Sequence, residues 1–250
     1  MYVFPAPAQP SVAIRGSALR FPVHRIHCVG RNYAEHAKEM GSVAGLENPT
    51  FFSKPADAVV ADGVDVPYPP GTTNLHFEVE LVLALSGGGS GIAPERALDH
   101  VYGYAVGLDL TRRDLQAAAK ARGGPWDTAK GFDHSAPISA IAPASEVGHP
   151  AHGLLWLEVN GQRRQQADIG EMIFGVRECI AELSKWYALA PGDLIYTGTP
   201  AGVGPLQRGD RFVAGFADIA RLEGRIACAQ ARGVMTRRSR AERAPKGSGL

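Results

Sequence analysis

The stretch Leu75-His-Phe-Glu-Val-Glu-Leu-Val-Leu-Ala-Leu85 is the most informative run in this chain of 250 residues. So apolar a run predicts a β-strand, in which alternate side chains share one face. Glu78 and Glu80 should therefore emerge side by side, with the apolar neighbours of each pointing the other way. Like charges on one face of a half-buried strand repel each other, and the usual reasons to tolerate them are a shared proton or a bound cation.

A third carboxylate, Asp109, ends a second apolar run, Val101-Tyr-Gly-Tyr-Ala-Val-Gly-Leu108. Oxygen ligands without cysteine or a histidine cluster favour hard octahedral cations, so Glu78, Glu80 and Asp109 are candidate ligands of such an ion. The alternative is that the three acids pair with arginine and lysine. Arg112 and Arg113 follow Asp109 closely enough for this, and the spacing leaves both interpretations open.

The composition indicates a soluble globular protein with a sizeable core, because 45% of the residues are hydrophobic and 20% are charged. No apolar stretch approaches the ~20 residues that a membrane-spanning helix needs, and the first ten residues lack the pattern of a signal peptide. The three cysteines are far apart and form no Cys-x-x-Cys pair. We therefore expect reduced thiols, a cytoplasmic location and no membrane partner.

Three segments are predicted along the chain. Residues 1–20 are an arm or edge strand, broken by prolines, and residues 21–230 are the body that contains the candidate acids. Residues 231–250 carry a net charge of +5, which leaves −4 for the rest of the chain, and they predict a solvated, disordered tail. A nucleic-acid role for this tail is disfavoured, because the body has no basic stripe that would extend it.

Short strands alternate irregularly with a few helices. This mixture, without a regular βαβ repeat, predicts an α+β fold built on a mixed, rolled sheet or β-sandwich. Asn160-Gly161 is typical of a two-residue hairpin turn, and Lys130 is placed in a loop. The helices expected are residues 33–40, opened by a capping box from Asn32 to Glu35; a helix from a second box, Thr111 to Asp114, to Ala121; and residues 169–187, with Ile173, Val176, Ile180, Leu183 and Trp186 in the core.

Taken together and in this order, the motifs of residues 24–220 resemble the fumarylacetoacetate hydrolase superfamily. The segments around Lys54 and Lys130 are most similar to the fumarylpyruvate hydrolases of its acylpyruvase branch. Phe77 is a departure, since some relatives carry a second histidine there, and strand alternation turns it away from the acids. The motifs are Gly30-Arg-Asn-Tyr-Ala-Glu-His36, Phe52-Ser-Lys-Pro55, His76-Phe-Glu-Val-Glu80, Gly107-Leu-Asp109, Met172-Ile-Phe174 and Thr197-Gly-Thr-Pro-Ala-Gly-Val-Gly204.

The resemblance implies a Mg²⁺ or Mn²⁺ ion bound by Glu78, Glu80 and Asp109. It also implies that His36 and Glu39, three residues apart on one face of a helix that acts as a lid, activate water. Spacing alone favours an exposed, salt-bridged helix face for that pair, and the resemblance favours the catalytic role. Further residues carried over are Lys130, which neutralises substrate charge, and the substrate contacts Arg31, Gln116 and Thr199, whereas Lys54 is expected to be structural.

The reaction implied is hydrolysis of the C3–C4 bond of a 2,4-diketo acid, with fumarylpyruvate giving fumarate and pyruvate in aromatic-compound breakdown. The same resemblance leaves open a general acylpyruvase, an oxaloacetate decarboxylase, a 2-hydroxymuconate-type isomerase or decarboxylase, and a non-catalytic metal-binding homologue. It further implies a homodimer. For a remote substrate carboxylate, the candidate cations are Arg31, Lys130 and the pair Arg112 and Arg113.

Overall fold

The structure, a computed structural model, describes residues 1–39 and 48–228. Its strands are β1 (Ser11–Ala13), β2 (Arg20–Pro22), β3 (Ile26–Gly30), β4 (Thr50–Lys54), β5 (Val59–Ala61), β6 (Leu75–Phe77), β7 (Val79–Leu85), β8 (Val101–Leu108), β9 (Thr111–Arg112), β10 (Ala136–Ile138), β11 (Ala142–Pro143), β12 (Leu154–Val159), β13 (Gln162–Asp168), β14 (Leu194–Tyr196), β15 (Gly204–Pro205), β16 (Arg211–Phe216) and β17 (Ala220–Arg225).

The α-helices are short and lie between these strands. They are α1 (Ala34–Glu39), α2 (Arg113–Ala121), α3 (Asp127–Lys130), α4 (Ala144–Val147) and α5 (Val176–Ser184), and 3₁₀ turns cover Ala56–Ala58, Pro94–His100 and Ile169–Glu171. Within residues 1–39 and 48–228, none of these helices has the length and apolar character needed to span a bilayer.

A mixed sheet with the strand order β4-β3-β14-β7-β8-β10-β5 forms the centre of the fold, and β11 extends it beside β8. Strand β14 runs parallel to β3 and antiparallel to β7, and β10 runs parallel to β5. A second, antiparallel sheet has the order β13-β12-β16-β17, and β15-β6-β9 form a small third one. The predicted α+β fold on a mixed sheet is confirmed.

Strand β7 is buried on both faces. Leu81 and Leu83 belong to one apolar cluster with Leu155 of β12 and Phe212 of β16, so one face of the central sheet packs on the second sheet. The opposite face packs on the β1–β2 hairpin through a cluster of Val12, Phe21, Val82, Ala84 and Tyr196. The carboxylates at the N-terminal end of β7 therefore lie in a region of the protein with little water.

The predicted continuous strand over residues 75–85 is interrupted at Glu78. Residues before it pair with β9 and β15, whereas residues after it pair with β8 and β14. The Val79 N–H donates to the side chain of Gln165 rather than to a strand. The chain changes sheets at this point, and Glu78 lies at the junction.

The predicted helix over residues 169–187 is also wrong in its extent. The Asp168 and Glu171 side chains form a capping box that closes a single 3₁₀ turn, and α5 begins after Gly175 and ends at Ser184. Ile180 and Leu183 are in the core as expected. Ile173 and Trp186 lie outside α5 and are exposed, Trp186 by 74%.

Neither predicted capping box forms. Asn32 uses its amide to bind residues 174 and 197, and Glu35 pairs with Lys38 instead. The N-cap of α2 is Arg112, whose donor-only side chain makes no cap, and the Thr111 hydroxyl donates to the Asp109 carbonyl instead of capping the helix. The predicted end of the first helix, at Met40 and Gly41, and the predicted tail, residues 231–250, lie outside the described residues.

The predicted hairpin is confirmed, with β12 and β13 joined by Asn160-Gly161. Both turn residues have positive φ, 53° and 76°, as a type I′ turn requires. The segmentation into an arm, a body and a tail stays a prediction. Within the arm, Val12 on β1 is buried against the central sheet.

Candidate active site

The three acids meet where strands β6 and β8 end and β7 begins. Glu78 and Glu80 flank Val79 at the start of β7, and Asp109 follows β8, whose last residue, Leu108, pairs with Val79. The Asp109 N–H donates to the Glu78 carbonyl at 2.8 Å, which fixes the two chain segments together. One carboxylate oxygen from each acid lies within 4.8 Å of the other two, so the predicted convergence of the acids is observed.

All three carboxylates are buried, and basic side chains contact two of them. Glu78 accepts hydrogen bonds from Arg113 and from Lys130, the latter at 2.7 Å. Asp109 accepts one from Lys130, and its Oδ1 lies 2.8 Å from the Lys54 Nζ. The alternative of pairing with arginine and lysine is therefore observed in part, beside the acidic cluster rather than in place of it.

Glu80 differs from the other two acids, because its carboxylate contacts no basic side chain within residues 1–39 and 48–228 and accepts only the Gly198 N–H, at 2.8 Å. Burial, together with the Asp109 and Glu78 carboxylates, raises the pKa of Glu80 well above its usual range. Although burial opposes ionisation of Glu78 too, Lys130 and Arg113 hold the pKa of Glu78 well below its usual range. An added cation at this site would therefore stabilise the ionised form of Glu80 more than that of Glu78, which already contacts two basic side chains.

Gly198 allows the contact with Glu80. Its φ is +99°, a conformation that L side chains rarely adopt, and a Cβ there would lie 2.7 Å from the Asn32 Cβ. The Asn32 amide in turn donates to the Thr197 and Phe174 carbonyls and accepts the Phe174 N–H. The chain entering α1 is thus tied to the loop that supports Glu80.

The donor set fits a hard divalent cation such as Mg²⁺ or Mn²⁺. It consists of three buried carboxylates, and Asp109 Oδ1 is buried without a hydrogen bond in a favourable geometry. Each ionised carboxylate offers about four lone-pair directions, so the bonds to Lys130 and Arg113 leave room for a cation on the same groups. Oxygen-only ligation favours Mg²⁺ or Mn²⁺ over zinc or copper.

His36 and Glu39 lie at the same site, on α1. The His36 Nδ1 is 3.3 Å from the Glu39 Oε2, and the Glu39 carboxylate also accepts the Gly202 N–H at 3.2 Å. His36 is buried, and burial lowers its pKa despite the nearby Glu78 and Glu39 carboxylates. The imidazole is therefore neutral at pH 7. Since a carboxylate can only accept, Nδ1 carries the proton and Nε2 is free to take another.

All the predicted site residues except Glu39 line one pocket. Arg31, Gln116 and Thr199 line it together with His36, Lys130 and the three acids. Arg113 donates to the Gln116 Oε1, so the Nε2 of Gln116 remains for a ligand. Arg31 has a φ of 62°, a strained backbone conformation that concentrates at functional sites. Lys130 ends helix α3, whereas the sequence analysis placed it in a loop.

Some residues of the site were missed or misplaced by sequence reasoning. Lys120 and Trp126 line the pocket, and the Lys120 Nζ lies 5.4 Å from the Trp126 ring centre. Arg112 donates to the Thr128 carbonyl and lies over the Phe132 ring, and it does not line the pocket as Arg113 does. Phe77 belongs to the apolar core, as the alternation predicts.

Comparison with known proteins shows the family of this chain. Residues 25–227 match the family model described as fumarylacetoacetate (FAA) hydrolase C-terminal. Among solved structures, a fumarylpyruvate hydrolase from Pseudomonas aeruginosa in complex with Mn²⁺ and pyruvate superposes with a TM-score of 0.89 at 48% identity, covering 92% of this chain and 100% of that one.

Two further relatives are named for different reactions. A fumarylpyruvate hydrolase of Ralstonia sp. is 45% identical over 177 residues, which is 71% of this chain and 92% of the relative. The mitochondrial oxaloacetate tautomerase FAHD1 of Mus musculus is 43% identical over 201 residues, which is 80% of this chain and 90% of the relative. Identity alone does not separate the two reactions.

Proposed function

Since this chain belongs to the fumarylacetoacetate hydrolase family, we propose that it hydrolyses the C3–C4 bond of a 2,4-diketo acid, and that fumarylpyruvate is its substrate. The products are fumarate and pyruvate. The observation that carries the proposal is His36, oriented by the Glu39 carboxylate beside a buried acidic cluster, because C–C hydrolysis needs both a general base and a site for the 2-oxo acid.

The acidic cluster would hold Mg²⁺ or Mn²⁺ through Glu78, Glu80 and Asp109. When bound, such a cation supplies Lewis-acid chemistry, since it polarises the 2-oxo group and favours electron density on C3. Lys130 already bridges Glu78 and Asp109, and its fixed ammonium group places a further positive charge beside the reacting oxygens. Although burial opposes it, the Asp109 and Glu78 carboxylates raise the pKa of Lys130, which keeps this charge at neutral pH.

The His36 Nε2 takes a proton from water, and that water adds to the C4 carbonyl. Glu39 holds the imidazole in the tautomer that makes Nε2 the acceptor. The C3–C4 bond then breaks, and its electron pair stays on C3 as the pyruvate enolate while C4 becomes the carboxylate of fumarate. Protonation of C3 completes pyruvate. Because Glu39 also binds the Gly202 N–H, α1 is held during these steps over the loop of residues 197–204, here called the glycine loop.

Fumarylpyruvate is favoured as the substrate by the positive charges at the pocket. Lys120 and Arg31 line it, and neither forms an ion pair with any acid of the described ranges, 1–39 and 48–228. Burial and the like charges of Arg113 and Arg31 lower the pKa of Lys120. A substrate carboxylate remote from the acidic cluster would relieve this repulsion, whereas Lys130 and Arg113 are already engaged by the acids.

Oxaloacetate tautomerisation is the second candidate, favoured by the mouse relative at 43% identity. It moves a proton at C3 and needs no attacking water, so Lys130 and the acidic cluster could serve it without Glu39. A panel of fumarylpyruvate, acetylpyruvate and oxaloacetate, followed by proton NMR with Mn²⁺ or with chelator, separates the candidates. Equimolar fumarate and pyruvate support hydrolysis, and accelerated enol–keto exchange without C–C cleavage supports the tautomerase.

A further inference from the structure

Gln165 is a fully buried polar residue on a strand whose neighbouring side chains face outward. It lies on β13 and is only 1% exposed, whereas Arg164 and Gln166 on either side point toward solvent. Its side chain leaves the second sheet and reaches the junction between β6 and β7 on one side and the glycine loop after β14 on the other. Such a residue in a core position needs a hydrogen-bonding explanation.

The hydrogen bonds of Gln165 fix the orientation of its amide. Oε1 accepts the Val79 N–H at 3.0 Å, and Nε2 donates to the Pro200 carbonyl at 2.8 Å. A backbone N–H can only donate and a carbonyl can only accept, so the reversed amide would lose both bonds. The second hydrogen of Nε2 is therefore committed to its remaining partner, Thr199 Oγ1, at 2.9 Å.

This orientation sets the polarity of the Thr199 hydroxyl. Because the hydroxyl oxygen accepts from Gln165, its own hydrogen must be donated elsewhere. Within residues 1–39 and 48–228 no acceptor takes that hydrogen, although Thr199 is only 2% exposed and lines the pocket with Glu80 and Asp109. The free donor is therefore available to a ligand in the pocket.

We propose that Gln165 is a positioning residue that makes the Thr199 hydroxyl an obligatory donor to a carboxylate or 2-oxo oxygen of the substrate. The inference rests on the proposed function for the nature of the ligand, a 2-oxo acid bound beside the acidic cluster. Gln165 acts through Thr199 and does not itself line the pocket. Its third bond, to Val79 between Glu78 and Glu80, couples the donor to the strand that carries the acids.

Pyruvate binding to the Mn²⁺-loaded protein, measured by isothermal titration calorimetry, tests this role without turnover. Thr199→Val keeps the shape of the side chain and removes the donor, and we expect it to weaken pyruvate binding about 10-fold or more, as for a hydrogen bond to a charged group. Gln165→Met should weaken it similarly. The control Gln162→Met, at an exposed position of the same strand, should bind pyruvate like the unmodified protein.

The double variant Gln165→Met/Thr199→Val distinguishes positioning from a general structural effect. If Gln165 acts through Thr199, the double variant binds pyruvate no more weakly than Thr199→Val alone. Losses that multiply, or unchanged affinity in Gln165→Met, would overturn the inference. If Gln165→Met does not fold, Thr199→Val still tests the inference. Unchanged pyruvate affinity in Thr199→Val would show that the hydroxyl does not donate to the ligand, and would overturn the inference.

The Mn²⁺ affinity of each variant is measured in separate titrations of the metal-free protein and should stay near that of the unmodified protein. Failure of the proposed function looks different from failure of this inference. If the unmodified protein binds Mn²⁺ but no pyruvate, the 2-oxo acid assignment falls and the role of Gln165 falls with it. If it binds pyruvate and the variants do so equally well, only the role of Gln165 is lost.

Discussion

The Nδ1 of His36 lies 3.3 Å from the Oε2 of Glu39, one helical turn along α1, and the same carboxylate accepts the Gly202 N–H. The Glu39 carboxylate thus has two contacts: it orients the His36 imidazole, and it holds the helix against the glycine loop. The sequence alone did not predict the second contact. His36 is buried, which distinguishes the pair from an ordinary exposed ion pair on a helix surface.

Replacing Glu39 should separate chemistry from metal binding. In Glu39→Gln, the carboxylate that fixes the His36 tautomer is lost, and we expect kcat for fumarylpyruvate to fall about 100-fold or more. Mn²⁺ affinity should stay near that of the unmodified protein, because Glu39 does not belong to the acidic cluster. The matched control is Glu35→Gln on the same helix, where an exposed carboxylate pairs with Lys38. An unchanged kcat in Glu39→Gln would show that the contact between His36 and Glu39 is structural and not catalytic.

Glu80 should be the acid whose replacement shows the metal site most clearly. It has no basic contact within the described residues and its pKa is raised in the folded protein, so folding at neutral pH must either bury an unpaired charge or take up a proton. Glu80→Gln removes that cost and should raise the melting temperature of the metal-free protein. Added Mn²⁺ should stabilise the unmodified protein by mass action, by about 2.7 kcal/mol at a concentration 100 times its Kd. Glu80→Gln should lose that shift, whereas the exposed control Glu95→Gln keeps it.

These metal effects are read by differential scanning calorimetry with chelator and with Mn²⁺. Equal Mn²⁺-induced shifts in the unmodified protein and in Glu80→Gln would remove Glu80 from the metal site. Full turnover in chelator-treated protein would contradict the metal requirement itself.

Substrate preference should depend on Lys120. One charge-assisted hydrogen bond to the remote carboxylate contributes roughly 1.5 to 3 kcal/mol, so kcat/KM should favour fumarylpyruvate over acetylpyruvate by about 10-fold or more. Lys120→Met should remove most of that preference while acetylpyruvate turnover changes little. Lys185→Met, which alters an exposed lysine paired with Glu182, is the control. An equal loss of kcat/KM on both substrates would show that Lys120 does not bind the remote carboxylate.

Asp193 should link the stability of the protein to pH. Its carboxylate is buried and accepts hydrogen bonds from His24, Arg25 and the Ala190 N–H. Although burial opposes ionisation, the nearby His27, whose Nε2 lies 3.8 Å from Oδ2, and the bonded Arg25 hold the pKa of Asp193 well below its usual range. A depressed pKa in the folded state contributes stability above the unfolded pKa, about 3.9, and this contribution is lost as pH falls below it.

Asp193→Asn should therefore lower the free energy of unfolding by about 2 kcal/mol or more at pH 7, a decrease of roughly 4 to 8 °C in melting temperature. The difference from the unmodified protein should narrow as pH falls below about 4. Chemical denaturation across this pH range measures it, with the exposed Asp218→Asn as control. A difference independent of pH would mean that the charge of Asp193 contributes nothing.

Local alternation and strand ends were enough to predict the metal candidates. Glu78 and Glu80 flank Val79 where β7 begins, so their spacing of two residues keeps their carboxylates together despite the break, and Asp109 follows the end of β8. The break at Glu78 could not be predicted, because it depends on β9, β14 and β15, which are distant in sequence. The same applies to Asn32, whose amide binds residues 174 and 197 instead of capping α1.

Residues that act through long-range contacts escaped the sequence analysis. Gln165 lies on a mostly polar strand, and only the approach of β13 to residues 79 and 199 gives it partners. Lys120 resembles any helix-surface lysine until α2 is placed against the pocket. The one available signal was helical spacing, since Arg113, Gln116 and Lys120 recur at intervals of three and four residues on one face of α2.

Hydrolysis in water enriched in ¹⁸O tests the central claim most directly, because the account requires a water molecule to add to C4. Mn²⁺-loaded protein turning over fumarylpyruvate should form fumarate and pyruvate in equal amounts, with solvent oxygen in the new carboxylate of fumarate, and Glu39→Gln should suppress both products together. Accelerated enol–keto exchange of oxaloacetate, with no fumarate formed from fumarylpyruvate, would contradict the account.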